Sequence, residues 1–110
     1  MPGNVALVLA AGRGQRLGSS TPKQYLPLAG KPVLRYSLAA FASHPSIAAV
    51  AAVIAPEDRA LYDRAASGLT LLPPVMGGAT RQESVRNGLE ALSQRDPERI
   101  LIHDAARPFV

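Results

Sequence analysis

The residues best suited to chemistry gather just after the chain's first apolar run. Val5-Ala6-Leu7-Val8-Leu9 is followed, over Ala10 to Tyr25, by A-A-G-R-G-Q-R-L-G-S-S-T-P-K-Q-Y. Gly12, Gly14 and Gly18 allow the backbone to bring its N–H groups close to a ligand. Arg16 and Lys23 place one cation toward each end of the arch. A glycine-rich loop after a strand is how α/β proteins hold phosphates. With two cations, such a loop could hold an extended triphosphate and stabilise charge developing at one phosphorus. Arg13 reads instead as a solvated loop residue.

Two familiar phosphate templates do not fit. A P-loop requires G-x-x-x-x-G-K-[ST], and no Gly-Lys-Ser/Thr occurs at Gly18. Gly12, Gly14 and Gly18 space as G-x-G-x-x-x-G, one residue longer than the dinucleotide fingerprint, and no acid follows about twenty residues on to hold a ribose. Hydride transfer with a nicotinamide cofactor is therefore not expected.

The elements that must carry this loop follow from periodicity. Asn4–Ala10 reads as a central parallel strand, apolar on both faces. Tyr25–Leu28 is apolar but broken by Pro27, Gly30-Lys31-Pro32 is a turn, and Pro32 suits the first position of a helix. Leu34, Ser37, Leu38 and Phe41 share one face of that helix, which should stop near His44-Pro45. Ile47–Ala55 is a second buried strand. Pro56-Glu57-Asp58 opens a helix with acids in its first turn; Leu61, Tyr62 and Ala65 face inward, and Ser67-Gly68 ends it. Leu69–Val75 is a third strand, which Pro73-Pro74 confine to an edge or a terminus.

After Gly77-Gly78, Thr80 is an N-cap and Glu83 completes a capping box. Val85, Gly88, Leu89 and Leu92 form the inward stripe of the helix that it opens. Arg99–His103 is a fourth strand, ending in Asp104-Ala105-Ala106-Arg107-Pro108. His44 and His103 read as structural. Strands alternating with helices imply parallel pairing and right-handed crossovers: an α/β, Rossmann-like, doubly wound, mainly parallel sheet in three αβα layers. Ligands in such folds bind beyond the carboxyl ends of the strands. Gly12–Lys23, Gly78–Ser84 and Asp104–Arg107 should therefore converge on one crevice.

Composition narrows the class. At 110 residues the chain is one domain, residues 1–110, with 47% hydrophobic and 18% charged residues, which is globular. Its net charge of +4 comes from scattered basic residues without aromatic interleaving, so nucleic acid is not the expected partner. The absence of cysteine removes disulfides, thiolate metal sites and a cysteine nucleophile. The longest apolar stretch, Ile47 to Ala55, is too short to span a bilayer. No secretory signal is visible, so a cytoplasmic protein is expected.

Three motifs in order carry a resemblance. A-A-G-x-G-x-R with P-K-Q-Y looks like the signature of sugar-phosphate nucleotidyltransferases. G-G-A-T-R-Q-E-S-V-R-N-G-L and I-H-D-A-A-R-P-F narrow it to the 2-C-methyl-D-erythritol 4-phosphate cytidylyltransferase family of the non-mevalonate isoprenoid route. The resemblance implies transfer of CMP from CTP to the alcohol phosphate, with loss of pyrophosphate and with Mg²⁺. It implies that Arg16 and Lys23 stabilise the pentacoordinate phosphorus, and that Ala10, Ala11, Gly12 and Gly14 make backbone contacts to the nucleotide. Gly78, Ala79 and Ser84 match the cytosine pocket, and Ala79 can offer only its backbone. Asp104 and Ala105 match the ribose and metal region, with Asp104 a hard oxygen ligand suited to Mg²⁺. Arg81 and Arg107 match motif residues around the site; Arg107 either pairs with Asp104 or reaches substrate.

The resemblance covers about the first half of a typical member. The acceptor-binding residues and the homodimer arm are expected beyond Val110, leaving a sheet of about four strands with one edge unpaired and an apolar face uncovered. Ribitol-5-phosphate cytidylyltransferase shares this nucleotide signature and is the alternative. The 110-residue chain alone is expected to bind CTP weakly and turn over poorly.

Overall fold

The computed structural model describes residues 3–12 and 22–105. Its centre is β1 (Asn4–Ala10), whose continuous apolar run is buried on both sides. Beside it lies β4 (Ile47–Ile54), in register from Val5↔Ala49 to Ala10↔Ile54, with an irregularity between Asn4 and Val5. β5 (Val75–Met76) pairs on the far side of β4, and β6 (Arg99–Asp104) on the far side of β1. All pairs are parallel, in the order β5-β4-β1-β6. The chain moves outward from β1 through β4 to β5 and then returns to the opposite side of β1. The order thus reverses between β1 and β6, where such sheets open a crevice.

Helices cover both faces. α1 (Val33–Ala42) and α2 (Arg59–Ala65) close one core, where Leu34, Leu38, Tyr62 and Ala65 pack on Ala6, Val8, Ala52 and Ile54. α3 (Arg81–Ser93) closes the other, with Leu92 on Val5, Leu7, Ala51 and Val53. Fully burying a leucine or isoleucine is worth about 1.5–3 kcal/mol, so Leu7, Leu34, Leu38 and Ile54 dominate the attachment of these layers. Alternation of residues on β1 and β4 assigns each side chain to one core or the other. The three-layer αβα architecture expected from the sequence is present.

Local departures have local causes. The expected strand over Leu69–Val75 shrinks to Val75–Met76, because Pro73 and Pro74 have no N–H to give to β4; Leu72 donates alone, to Val50 O at 2.8 Å. Around Gly30 the chain forms a small antiparallel hairpin, β2 (Pro27–Leu28) with β3 (Lys31–Pro32), turning through Ala29 and Gly30 at φ 53° and 85°. Pro32 accordingly caps α1 from an extended conformation, and Val33 starts it. Pro56–Asp58 is a single 3₁₀ turn before α2. On α3 the inward stripe is Ser84, Gly88 and Leu92, with Val85 half-buried and Leu89 37% exposed. At Gly88 a side chain would begin 2.7 Å from Leu7 Cδ2 and 2.9 Å from Val53 Cγ2, so the missing Cβ lets α3 lie close to the sheet.

β6 has a neighbour on one side only among the described residues. Leu101 and Ile102, on opposite faces, remain 42% and 43% exposed, matching the expected open edge and uncovered apolar surface. Among the described residues no helix is long and apolar enough to cross a membrane.

Candidate active site

The carboxyl ends of β1, β4, β5 and β6 surround one crevice of about 760 Å³. β1 delivers Ala11 and Gly12 to its rim, and the 3₁₀ turn Lys23–Tyr25 brings Lys23 and Gln24. Gly77 to Arg81 and Ser84 come from the β5–α3 junction, and Asp104 and Ala105 from the end of β6. The three polar segments expected to converge therefore do so in their described parts. A fourth wall, Ala55-Pro56-Glu57 after β4, was not foreseen; the acids there read simply as a helix start.

The β5–α3 junction is built around close approaches. Gly77 N–H donates to Ile54 O at 2.8 Å, which extends the sheet's hydrogen bonding one residue past β5. A Cβ on Gly77 would lie 2.5 Å from Ala11 Cβ and 2.7 Å from Ser84 Oγ, so only glycine fits between the first loop and α3. Ser84 is 4% exposed, and its hydroxyl oxygen accepts the Gly78 N–H at 3.1 Å. That bond leaves the hydroxyl hydrogen available to a ligand. Thr80 caps α3 by accepting the Glu83 N–H at 3.1 Å; the Glu83 carboxylate meets the Thr80 hydroxyl at 3.4 Å rather than its N–H.

At the opposite wall, Ala105 N–H donates to Leu9 O at 2.9 Å and fixes the end of β6 against β1. Asp104 faces α3, and Arg81 Nη2 stands 3.6 Å from its Oδ1. Both side chains are well exposed, so the pair is weak and opens at little cost to an incoming anion or hydroxyl. Behind the strand, His103 Nε2 hydrogen-bonds the buried Ser37 hydroxyl at 3.1 Å and meets Phe41 edge-on at 5.3 Å. His103 is thereby held in the α1 core, consistent with a structural residue.

Ala10 is buried beneath the crevice and not in its lining, and its carbonyl accepts from Gln24. Arg13, Gly14, Arg16, Gly18 and Arg107 lie outside the described residues. Among the described residues, Arg81 is the cation that stands beside Asp104. The described wall joins a cation, Lys23, to main-chain donors and a hydroxyl at the β5–α3 junction and to a carboxylate on β6. Such groups can hold an anion and exchange hydrogen bonds with hydroxyls.

The sequence profile described as IspD, 2-C-methyl-D-erythritol 4-phosphate cytidylyltransferase, matches residues 4–110. The chain belongs to this cytidylyltransferase family. It is 62% identical over its whole length to the bifunctional enzyme IspD/IspF of Paramagnetospirillum magneticum, of which it covers 29%. With the bifunctional enzyme IspD/IspF of Rhodospirillum rubrum it shares 59% identity over 96% of the chain, covering 28% of that protein. Among solved structures, a 4-diphosphocytidyl-2C-methyl-D-erythritol synthase superposes with a TM-score of 0.78 at 34% identity, over 98% of this chain and 48% of that one. The corresponding synthase from Anaerococcus prevotii also gives 0.78, at 27% identity over 98% of this chain and 45% of that one. The chain thus spans under a third of these curated relatives and about half of the solved family members.

Within this family site, Gln24 is the residue that sequence reasoning missed. It is 5% exposed, and its carboxamide nitrogen lies 2.8 Å from both Ala10 O and Gly12 O. Its sequence signal was its place in the P-K-Q-Y motif, which named Lys23 and left Gln24 without a role.

Proposed function

We propose that this chain is the nucleotide-binding part of an enzyme that transfers CMP from CTP to 2-C-methyl-D-erythritol 4-phosphate, releasing pyrophosphate, in isoprenoid precursor synthesis. The observation that carries this reading is the convergence of Lys23, the Gly78–Ser84 segment and Asp104 on one crevice in a chain of this family. A phosphate oxygen of the acceptor attacks the α-phosphorus of CTP in line. The new P–O bond forms as the bond to pyrophosphate breaks, and the product is a CDP-alcohol. The attacking phosphate is already an anion, so positioning and charge stabilisation supply the rate without a general base. Lys23, with Arg16, stabilises the negative charge gathering at the α-phosphorus. Ala10, Ala11, Gly12 and Gly14 offer main-chain contacts to the nucleotide; Gly78, Ala79 and Ser84 read the cytosine edge, and Arg81, Asp104 and Ala105 meet the ribose side.

The donor set suits Mg²⁺. No cluster of three or more His, Asp or Glu side chains able to hold a metal occurs among the described residues. A cation here would take Asp104 as its protein ligand and complete its shell with phosphate oxygens and water, the usual habit of Mg²⁺ at nucleotides. Bound there, it would neutralise the triphosphate and the departing pyrophosphate. The whole protein, in this reading, works in the cytoplasm as a homodimer.

Thermal melting with nucleotides tests the binding half. CTP with Mg²⁺ should stabilise the chain more than UTP or GTP does, and Lys23→Ala should remove most of that gain. Stabilisation by UTP or GTP in place of CTP would refute the cytidylyl reading. Pyrophosphate release by the longer protein, offered methylerythritol phosphate and ribitol 5-phosphate in turn, tests the acceptor. Release with ribitol 5-phosphate alone would move the assignment to the sister reaction.

A further inference from the structure

Gln24 is a buried polar side chain to which the reaction above gives no task. Among the described residues its carboxamide donates to two main-chain carbonyls, Ala10 O and Gly12 O, each at 2.8 Å. Carbonyls only accept, so chemistry fixes the amide orientation: the NH₂ faces them, and both its hydrogens are engaged. Gln24 therefore ties the first turn of the loop to the turn that carries Lys23. In a trans peptide the N–H points opposite to the C=O. Holding Ala10 O toward Gln24 consequently turns the Ala11 N–H to the other side and fixes that peptide dipole. It also engages one lone pair of the carbonyl of Gly12, a residue of the crevice lining.

We propose that Gln24 is a positioning residue for nucleotide binding, which clamps the Ala10 and Gly12 carbonyls so that the Ala11 main-chain dipole and the Lys23 ammonium address one anion. It acts through the loop and not on the reacting atoms, and its role rests on the nucleotide reading above. A residue that merely filled space would be replaceable by any side chain of its shape. The clamp needs donors.

The experiment is an NMR titration of the 110-residue chain with CTP in Mg²⁺ buffer, at pH 8 and pH 5.5, for wild type, Gln24→Met and Gln24→Glu. Gln24→Met keeps the shape without donors and should bind CTP about tenfold more weakly or worse at both pH values, the scale set by losing two hydrogen bonds. Gln24→Glu should show a large deficit at pH 8. Burial and the two facing carbonyls raise its carboxyl above the ordinary value near 4.3. Protonation on going to pH 5.5 then supplies one O–H donor, and the deficit relative to wild type at the same pH should shrink several-fold. Wild-type affinity in Gln24→Met, or a Gln24→Glu deficit indifferent to pH, overturns the proposal. Should Gln24→Met fail to fold, the Gln24→Glu pH series decides alone. If wild type itself binds no CTP, the nucleotide reading falls and the ligand-free spectra judge the clamp. Displaced Ala11, Gly12 and Lys23 amides with unmoved Leu7 and Leu92 amides then support it, and unmoved loop amides refute it.

Discussion

Gly77 stands where the first loop, β4 and α3 meet, and the space left for a side chain is smaller than a methyl group. Its virtual Cβ overlaps Ala11 Cβ and Ser84 Oγ, and Val53 Cγ1 is 3.3 Å away. Gly77→Ala must push apart the two walls of the crevice and strain the Ser84–Gly78 hydrogen bond. Overpacking of this kind costs about 1–3 kcal/mol, which for a domain of this size lowers Tm by several degrees. The variant should also lose CTP affinity; a melt and a titration indistinguishable from wild type would show that the contact yields freely. Lys23, Gly78, Ser84 and Asp104 were legible in the sequence because their types stand out beside turn residues and strand ends. Gln24 was not, since its role depends on carbonyls brought to it only by the fold. The Arg81–Asp104 approach was hidden for the same reason, each partner belonging to a separate motif.

Long apolar runs announced β1 and β4 because both are buried on two faces. β5 was over-read: seven apolar-rich residues looked like a strand, but two prolines interrupt the run and only Val75 and Met76 form strand pairs with β4. The β2–β3 hairpin went unseen, as Ala29-Gly30 lacks the Asn-Gly or Asp-Gly signature of such turns. On α3, Gly88 and Leu92 of the expected stripe are buried, but packing adds Ser84 and leaves Leu89 exposed; small residues bring the helix nearer the sheet than a larger stripe allows. α2 offers a test of its packing through pH. Tyr62 is 3% exposed, and burial pushes its phenol above the ordinary value near 10, with Asp63 adding to the rise and Arg59 opposing it. A raised folded-state value means that the stability it contributes is intact below pH 10 and is lost as pH climbs through that value. Denaturant titrations should therefore find Tyr62→Phe less sensitive than wild type between pH 9.5 and about 11. Parallel curves would place the alkaline loss elsewhere.

At the scale of the described residues, the order β5-β4-β1-β6 puts β6 at an edge with apolar side chains showing on both faces. Natural sheets blunt such edges with charge or cover. The chain should accordingly self-associate as its concentration rises, and Ile102→Lys should hold it monomeric in light scattering. Equal association by the variant would clear that edge of responsibility. The doubly wound architecture and the meeting of the polar segments were legible because alternating elements leave few ways to arrange the chain; the degree of exposure along β6 needed coordinates. The pairing of β6 with β1 also has a meaning in time. Asn4 sits opposite Arg99, and Leu9 opposite Asp104, so the central strand's second neighbour comes from a distant part of the sequence. Contacts of such sequence separation form slowly, after their loop entropy is met. During synthesis, β1, β4 and both helices of the α1 face can assemble while the wall carrying Asp104 has yet to emerge. Until β6 joins β1, the crevice lacks the wall that carries Asp104 and Ala105, and Arg81 has no carboxylate from β6 beside it.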